Sequence, residues 1–341
     1  MDDMKMKCCW ILLVTLHVSS LDAGAQSRRI IIDCDPGIDD AMAIILAMQY
    51  SGFDIVGITT VFGNASLDQA TRNALTVVEL SGRDIPVYKG AERPMHVKLE
   101  PPPDFVHGKD GLGNTNQPAP TAVPRTQNAA RFIADTARAS PGQITILAIG
   151  RLTNLAEAMR LDPDLARNVR EVVLMGGAVN FPGNVSPVAE ANISADPDAA
   201  DLVLTAPWKV TMIALNTTTK VKLNDEILKR IRNNNSRYGS FVFAITRFYA
   251  AFHKNVNHVE GGFFVHDPSA VMYLIDPGIF TVRKGPVRVV REGIAIGQTI
   301  MPTYDYQFEM APWRGRPLVT TASDVDVKRF LERFESVMTR N

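Results

Sequence analysis

Four aspartates stand within eight residues in the segment DCDPGIDD, from Asp33 to Asp40. They follow the apolar run Ile30 to Ile32, which is typical of a buried strand. Crowded carboxylates raise each other's pKa unless a cation lies among them. The segment offers oxygen ligands and has no nearby cluster of Cys and His, which favours calcium or magnesium over zinc. The alternative is that these acids merely cap a helix and a turn. That is the ordinary interpretation for one Asp, but not for four within eight residues.

The turn that follows the strand determines how these acids meet. Side chains alternate along a strand, so Cys34 and Asp35 face opposite sides, with the cysteine towards packing. Pro36 and Gly37 then turn the chain and bring the next aspartates, at the start of a helix, back towards Asp35. The amino terminus of that helix stabilises their negative charge. Ligand sites of parallel sheets lie at this carboxyl edge.

Short β-branched runs alternate with helical patterns from Ile30 onward, which predicts an α/β fold. We expect a mostly parallel central sheet flanked by helices, with a Rossmann-like core. A Pro- and Gly-rich stretch at 89–125 predicts a lid or binding loop. The predicted strands are 30–34, 53–60, 86–88, 143–149, 171–175, 208–215 and a pair near 280–290. The predicted helices are 39–50, 67–80, 127–139, 154–160 and 195–205, with further helices before residue 280.

The charge balance of the chain restricts its partners. The 341 residues carry 36 basic and 36 acidic side chains, so no net field favours nucleic acid. We therefore expect a small-molecule substrate and no nucleic-acid partner. One large catalytic domain, residues 26–341, is the economical interpretation of this length.

Residues 1–25 have the pattern of a cleaved secretory signal peptide. Two lysines precede an apolar run at 8–18, and Ala23 to Ala25 offers a small-residue cleavage site. The apolar run is roughly half the length that spans a bilayer, and no later stretch is long and apolar enough. We therefore expect a secreted protein with no membrane span. Cleavage would leave Cys34 as the remaining cysteine, hence no internal disulfide.

Five segments, in the same order, resemble the inosine-uridine-preferring nucleoside hydrolase family. They are DCDPGIDDAMAI from Asp33, TTVFGN ending at Asn64, LTNLAEA from Leu152, LMGGAVNFPGNVSPVAEANISADP from Leu174, and HDP at His266 to Pro268. The resemblance implies hydrolysis of the N-glycosidic bond of ribonucleosides to free base and ribose, with a calcium-bound water as nucleophile. It also implies a homodimer or homotetramer. We expect inosine and other purine nucleosides to be slightly favoured.

The resemblance also implies a role for individual residues. Asp35 would be the catalytic base, and His266 the acid that protonates the leaving base. The calcium ligands would be Asp35, Asp40, the backbone carbonyl of Ile149, and Asp267. The substrate would be held by Asp39, Asn64, Met175, Asn184, Glu190, Asn192 and Asp267.

Several rings remain as candidates for contact with the nucleobase. His107 lies in the 89–125 loop. A group of aromatic residues lies on one predicted helix, where core packing is the default and one or two rings would cover the base. They are Phe241, Phe243, Phe248, Tyr249 and Phe252. Trp208 and Trp313 fall outside the segments expected to line the pocket.

Two other functions remain open from sequence alone. One is a magnesium-dependent aspartyl-phosphate phosphatase, which also places Asp-x-Asp after its first strand. The chain lacks a convincing Lys and acidic pair in the order that such enzymes need. The other is a secreted, calcium-dependent nucleoside-binding protein without turnover. The presence of all the proposed catalytic groups argues against it.

Overall fold

The computed structural model describes residues 27–303 and 308–340. The predicted signal peptide at 1–25 lies outside these residues and stays a prediction. The strands are β1 (Arg28–Cys34), β2 (Phe53–Thr60), β3 (Val87–Lys89), β4 (Ile144–Ala148), β5 (Val169–Met175), β6 (Val210–Ile213), β7 (Lys222–Leu223), β8 (Phe263–Phe264), β9 (Phe280–Gly285), β10 (Arg288–Val289), β11 (Thr299–Ile300) and β12 (Val319–Val325).

Helices alternate with these strands along the chain. They are α1 (Ile38–Gln49), α2 (Leu67–Ser81), α3 (Asp104–His107), α4 (Ala129–Ala139), α5 (Thr153–Leu161), α6 (Leu165–Asn168), α7 (Ala191–Ala195), α8 (Pro197–Leu204), α9 (Leu215–Thr218), α10 (Asp225–Asn234), α11 (Gly239–Asn255), α12 (Asp267–Ile275) and α13 (Val327–Met338), with a 3-10 turn at Pro277–Ile279. Among the described residues, no helix is both long and apolar enough to cross a bilayer.

The central sheet has the strand order β3-β2-β1-β4-β5-β6-β12-β9 within the described ranges. Its neighbouring strands run parallel except for β9, which pairs antiparallel with β12. Two small antiparallel pairs, β7 with β8 and β10 with β11, lie apart from it. The predicted α/β fold with a mostly parallel sheet is confirmed.

Apolar side chains on both faces of β1 explain why the sheet is covered by helices on both sides. Ile30 and Ile32 pack into a core that also contains α1 and α11, whereas Ile31 packs into a second core with α4 and α5. Helix α1 is buried from Ile38 to Met48. Its first residues, which carry the aspartates, are therefore held firmly against the carboxyl edge of the sheet.

Two stretches differ from the predicted elements. The predicted helix at 195–205 corresponds to α8, which begins two residues later because Pro197 starts it and the Asp196 carboxylate caps it by accepting from the Ala199 N–H at 3.1 Å; the short helix α7 before it was not predicted. Strand β12 and helix α13 were not predicted, although β12 completes the sheet between β6 and β9.

Candidate active site

A cavity of about 750 Å³ opens where the carboxyl ends of β1, β2, β4 and β5 meet. The strand order reverses between β1 and β4, and such switch points form crevices in parallel sheets. Nine predicted site residues line the cavity: Asp39, Asn64, Ile149, Met175, Asn184, Glu190, Asn192, His266 and Asp267. The other two, Asp35 and Asp40, are fully buried and both hydrogen bond to Asn64.

Three carboxylates converge at the base of the cavity. Oxygen atoms of Asp39, Asp40 and Asp267 lie within 4.8 Å of one another, and all three residues are buried. Asp39 and Asp40 come from the first turn of α1, and Asp267 comes from the first turn of α12. Two helix amino termini therefore direct their acids to one point, where their partial positive charge helps to hold them. Asp39, which the sequence analysis assigned to substrate binding, belongs to this group of possible metal ligands.

Backbone donors fix the position of Asp40. Its Oδ2 accepts from the Gly37 N–H at 3.0 Å and from the Asn64 amide at 2.9 Å. Its Oδ1 accepts from the Asp35 N–H at 3.1 Å. The turn predicted after β1 thus folds back on the strand end and places Asp35 beside the group.

Asp35 fits its position because two glycines surround it. Its Oδ2 accepts from the Asn64 N–H at 2.7 Å. A Cβ atom on Gly63 would lie 2.0 Å from that oxygen, and one on Gly150 would lie 2.7 Å from Oδ1. Gly63 also has φ of +154°, which side chains disfavour. The loops after β2 and β4 can approach Asp35 only with glycine at these two positions.

Electrostatics disfavours four bare charges at this point. Burial raises the pKa of Asp39 to about 7, and the neighbouring Asp40 charge adds to the rise. Burial likewise raises the pKa of Asp267 and Asp35 well above the usual range, although Arg151 opposes the rise at Asp35. A divalent cation among the carboxylates would reverse these shifts.

Buried oxygen atoms without partners show that this donor set fits a hard cation. Oδ1 of Asp35 and Oδ1 of Asp39 are buried and accept no hydrogen bond from the described residues. Buried polar atoms are normally paired, and an unmet carboxylate oxygen is costly. Carboxylate and carbonyl oxygens are the ligands that Ca²⁺ and Mg²⁺ take. The acidic group therefore can hold a metal ion.

Asn192 and Glu190 occupy the side of the cavity next to β5. The Asn192 amide donates to the Ile149 carbonyl at 2.9 Å and to the Met175 carbonyl at 3.1 Å. The Glu190 carboxylate is buried and caps α7, accepting from the N–H groups of Asn192 and Gly177, both at 2.9 Å. Glu190 therefore holds the loop after β5 in place as well as facing the cavity.

Asn184 differs from these residues because it is exposed at the cavity mouth. Its side-chain oxygen accepts from the Ala191 N–H at 3.0 Å. The structure thus places this residue on the loop that borders the cavity rather than at its base.

His266 lies across the cavity and is 9% exposed. Its Nδ1 lies 2.8 Å from the Thr218 hydroxyl, which orients the ring. Burial lowers its pKa to about 4, so the imidazole is neutral at pH 7. A neutral imidazole offers one N–H donor to a ligand.

Rings and apolar side chains form the outer part of the cavity. His107, Tyr249 and Phe252 line it, so the sequence analysis found two of its aromatic candidates there. Trp208 and Trp313 are absent from the lining among the described residues, as expected. His253, on the same helix as Tyr249, was missed. Its helical spacing of four from Tyr249 was the available signal.

Arg151 is a further residue that sequence reasoning missed. It follows Ile149 and Gly150 in the loop after β4, lines the cavity and is 5% exposed. Its guanidinium pairs with Asp35 and donates to the side-chain oxygens of Asn64 and Asn192, both at 3.1 Å. Nothing in the segment GRLTN indicates that this arginine turns towards the acids.

Known proteins resemble this chain along most of its length. The sequence model of the family described as inosine-uridine preferring nucleoside hydrolase matches residues 30–332. Uridine nucleosidase 1 of Arabidopsis thaliana is 40% identical over 317 residues, which covers 92% of this chain and 94% of that protein.

Solved structures of nucleoside hydrolases also resemble this chain. A plant nucleoside hydrolase superimposes with a TM-score of 0.88 at 36% identity, covering 92% of this chain and 99% of the other. A purine-preferring ribonucleoside hydrolase from Gardnerella vaginalis superimposes with a TM-score of 0.84 at 32% identity, covering 92% and 98%.

Proposed function

The chain belongs to the inosine-uridine preferring nucleoside hydrolase family and is a nucleosidase, and we propose that it works with calcium bound in its acidic cluster. The family hydrolyses the N-glycosidic bond of ribonucleosides. The observation that carries the calcium proposal is the pair of buried, unpartnered oxygens on Asp35 and Asp39 beside Asp40 and Asp267. The family match also leaves the phosphatase alternative without support.

The proposed ligands are the carboxylates of Asp35, Asp40 and Asp267 with the carbonyl of Ile149, and Asp39 is a further neighbour. A set of several carboxylates and a carbonyl suits calcium, since Mg²⁺ usually keeps most of its waters and takes fewer protein ligands. A bound calcium ion would supply positive charge that orients the ribose hydroxyls and acidifies water nearby.

Asp35 is the proposed general base, which removes a proton from the water that attacks the anomeric carbon. The transition state has oxocarbenium character, so negative carboxylates below the ribose also stabilise it. Asn64 and Asn192 present amide groups to the same region and are suited to bind the ribose hydroxyls or the water. Met175 lines the cavity next to Asn192 and is the proposed apolar contact for the sugar.

His266 is the proposed donor to the leaving base. If the Thr218 hydroxyl donates to Nδ1, the neutral ring carries its proton on Nε2 and can hydrogen bond to a base nitrogen. Because the ring is neutral at pH 7, it assists the departing base as a hydrogen-bond donor and the base takes its proton from water, so we expect a contribution near the lower end of the general-acid range, about 10² in rate.

The preferred nucleobase is a separate proposal. The sequence analysis favoured inosine and other purine nucleosides slightly, and one relative is named a purine-preferring hydrolase while another is named a uridine nucleosidase. We therefore propose both inosine and uridine as substrates, with a slight preference for inosine. A higher kcat/KM for uridine would overturn that preference.

Secretion and self-association are further proposals. The leader at 1–25 would direct export, and sequencing the amino terminus of secreted protein should find a start near residue 26. Light scattering of the same protein should find a homodimer or homotetramer. Retention inside the cell with an intact leader, or a monomer at all concentrations, would contradict the respective proposal.

The decisive experiment is a spectrophotometric assay of the purified protein with inosine, guanosine, adenosine, uridine and cytidine. We expect release of free base, loss of turnover after treatment with a chelator, and recovery with Ca²⁺ in excess of the chelator. Turnover that survives complete chelation would overturn the calcium proposal. Calcium and nucleoside binding without base release would favour the binding protein without turnover.

A further inference from the structure

Arg151 brings a permanent positive charge into the acidic cluster. Arginine side chains are positively charged in proteins, and this one is 5% exposed. A buried charge is costly unless it is paired, so its partners must offset the loss of hydration. Those partners are the Asp35 carboxylate and the amide oxygens of Asn64 and Asn192.

These partners are groups that the proposed mechanism uses. Asp35 is the proposed base, and Asn64 and Asn192 face the ribose. One guanidinium nitrogen, Nη1, contacts all three. A single side chain therefore ties together groups that come from the loops after β1 and β2 and from the start of α7.

A second chain of contacts leads from Arg151 to a proposed metal ligand. Arg151 holds the oxygen end of the Asn192 amide, and the nitrogen end of that amide donates to the Ile149 carbonyl. While Arg151 orients Asn192 in this way, the Ile149 carbonyl already has a donor. The metal must then share that carbonyl or displace the amide.

We propose that Arg151 is a positioning residue that serves as an internal counter-cation, holding Asp35, Asn64 and Asn192 together and competing with the divalent cation for the cluster. The competition has two sources: repulsion between two cations next to Asp35, and the hold on the Ile149 carbonyl through Asn192. This inference rests on the proposed function, because the metal site is the one proposed above.

The test measures metal binding and stability rather than turnover alone. Full-length Arg151→Gln and Arg151→Lys proteins are stripped with a chelator, dialysed, and titrated with Ca²⁺ by calorimetry. We expect Arg151→Gln to bind Ca²⁺ at least about tenfold more tightly than the wild-type protein, because one nearby charge shifts a site by about one to three pK units. Arg151→Lys keeps the charge and should stay close to wild type.

Thermal unfolding provides the second measurement. In chelator, Arg151→Gln should unfold at a lower temperature than wild type, because the acids lose their counter-charge. In saturating Ca²⁺ the gap should shrink or vanish, because tighter metal binding stabilises the folded state. Arg288→Gln is the matched control, since Arg288 pairs with Asp201 at 2.8 Å outside the cavity lining. That control should lower the unfolding temperature equally in both conditions and leave calcium affinity unchanged.

Calcium affinity of Arg151→Gln equal to or weaker than wild type would overturn the inference. An unfolding gap of the same size in chelator and in calcium would do so as well. These results leave the proposed function standing if the wild-type protein binds Ca²⁺ and releases base. A wild-type protein that binds no Ca²⁺ would overturn both the proposed function and the competition.

Discussion

The two sides of the cavity are built from different kinds of structure. One side, here called the acidic floor, consists of Asp35, Asp39, Asp40 and Asp267, all at most 6% exposed. These residues stand at a strand end and at the first turns of two buried helices. Their position is therefore fixed by the packing of the central sheet.

The other side, here called the apolar wall, includes Leu99, Phe105, Phe181 and Phe252. Leu99 and Phe105 belong to the 89–125 segment and are 45% and 66% exposed. Phe181 lies on the loop after β5, and Phe252 lies on α11. Few buried contacts hold these loop side chains, so they can adjust to a ligand at small cost.

This difference assigns separate tasks to the two sides. A reaction at the anomeric carbon needs groups held within a fraction of an ångström, which the floor provides. Recognition of different bases needs apolar surface and side chains that can adjust to bases of different size, and the wall provides both. Floor substitutions should therefore change kcat for every nucleoside, whereas wall substitutions should change the ratio between nucleosides.

The largest effect should come from Asp35→Ala in the floor. Loss of the proposed base and of one metal ligand should lower kcat by at least about 10³ for both uridine and inosine. The measurement is base release by the purified variant with calcium present. Asp326→Ala is the control: this exposed residue caps α13 and lies outside the cavity lining. Activity of Asp35→Ala within a few-fold of wild type would remove Asp35 from its role.

His266→Ala should follow, with a loss of about 10² in kcat on natural nucleosides. The reason is that a poor leaving base needs a proton donor, whereas a ribose with a p-nitrophenyl leaving group does not. The measurement is kcat on inosine and on p-nitrophenyl riboside. We expect the loss on the second substrate to be much smaller. Equal losses on both would mean that His266 holds the site together instead of assisting the leaving base.

The sequence predicted the acidic floor better than the apolar wall because most of the floor comes from one short segment of the chain. The segment from Asp33 to Asp40 contains the strand, the turn and the helix start that bring three of its four acids together. The fourth, Asp267, comes from a distant segment and was placed by resemblance to the family. Backbone rules for strand ends and helix starts were enough for the rest.

Three features could not be derived from local pattern. The direction of the Arg151 side chain depends on acids from other loops, which no spacing within GRLTN encodes. Strand β12 buries Thr320 and Thr321 in the sheet, so it lacks the apolar run that marks the other strands. The wall includes a loop of weak periodicity, whose path depends on contacts with α2 and α11 residues far along the chain.

His253 lines the cavity beside Phe252 of the apolar wall and responds to pH with the opposite sign from the floor acids, which His253→Phe tests. Burial lowers the His253 pKa to about 3, whereas unfolded histidine takes up a proton near 6.5. Stability is therefore lost as pH falls below about 6.5, by at most about 1.4 kcal/mol per pH unit, and is unaffected above it. The raised pKa values of the floor acids act in the opposite direction.

The measurement is urea unfolding of wild type and His253→Phe at pH 7.5 and pH 5.5, with calcium absent. We expect the variant to lose less stability on acidification, by about 1 kcal/mol. His96→Phe, at an exposed position, is the control and should follow wild type. An unchanged pH dependence in His253→Phe would show that this ring is not held neutral by burial.

The smallest effect, and the one that bears on the wall alone, should come from Phe105→Ala. Phe105 lines the cavity and is 66% exposed, so its ring is available to a bound base, and an aromatic contact of that kind is worth roughly 0.5–1.5 kcal/mol, or about two- to tenfold in an equilibrium constant. We expect KM to rise by that factor, unequally for inosine and uridine, with kcat and the unfolding temperature nearly unchanged. Val123→Ala is the matched control, because Val123 is as exposed and in the same segment but outside the cavity lining. A fall in kcat with an unchanged inosine-to-uridine ratio would assign the wall to the chemistry after all, and the division between the two sides would fail.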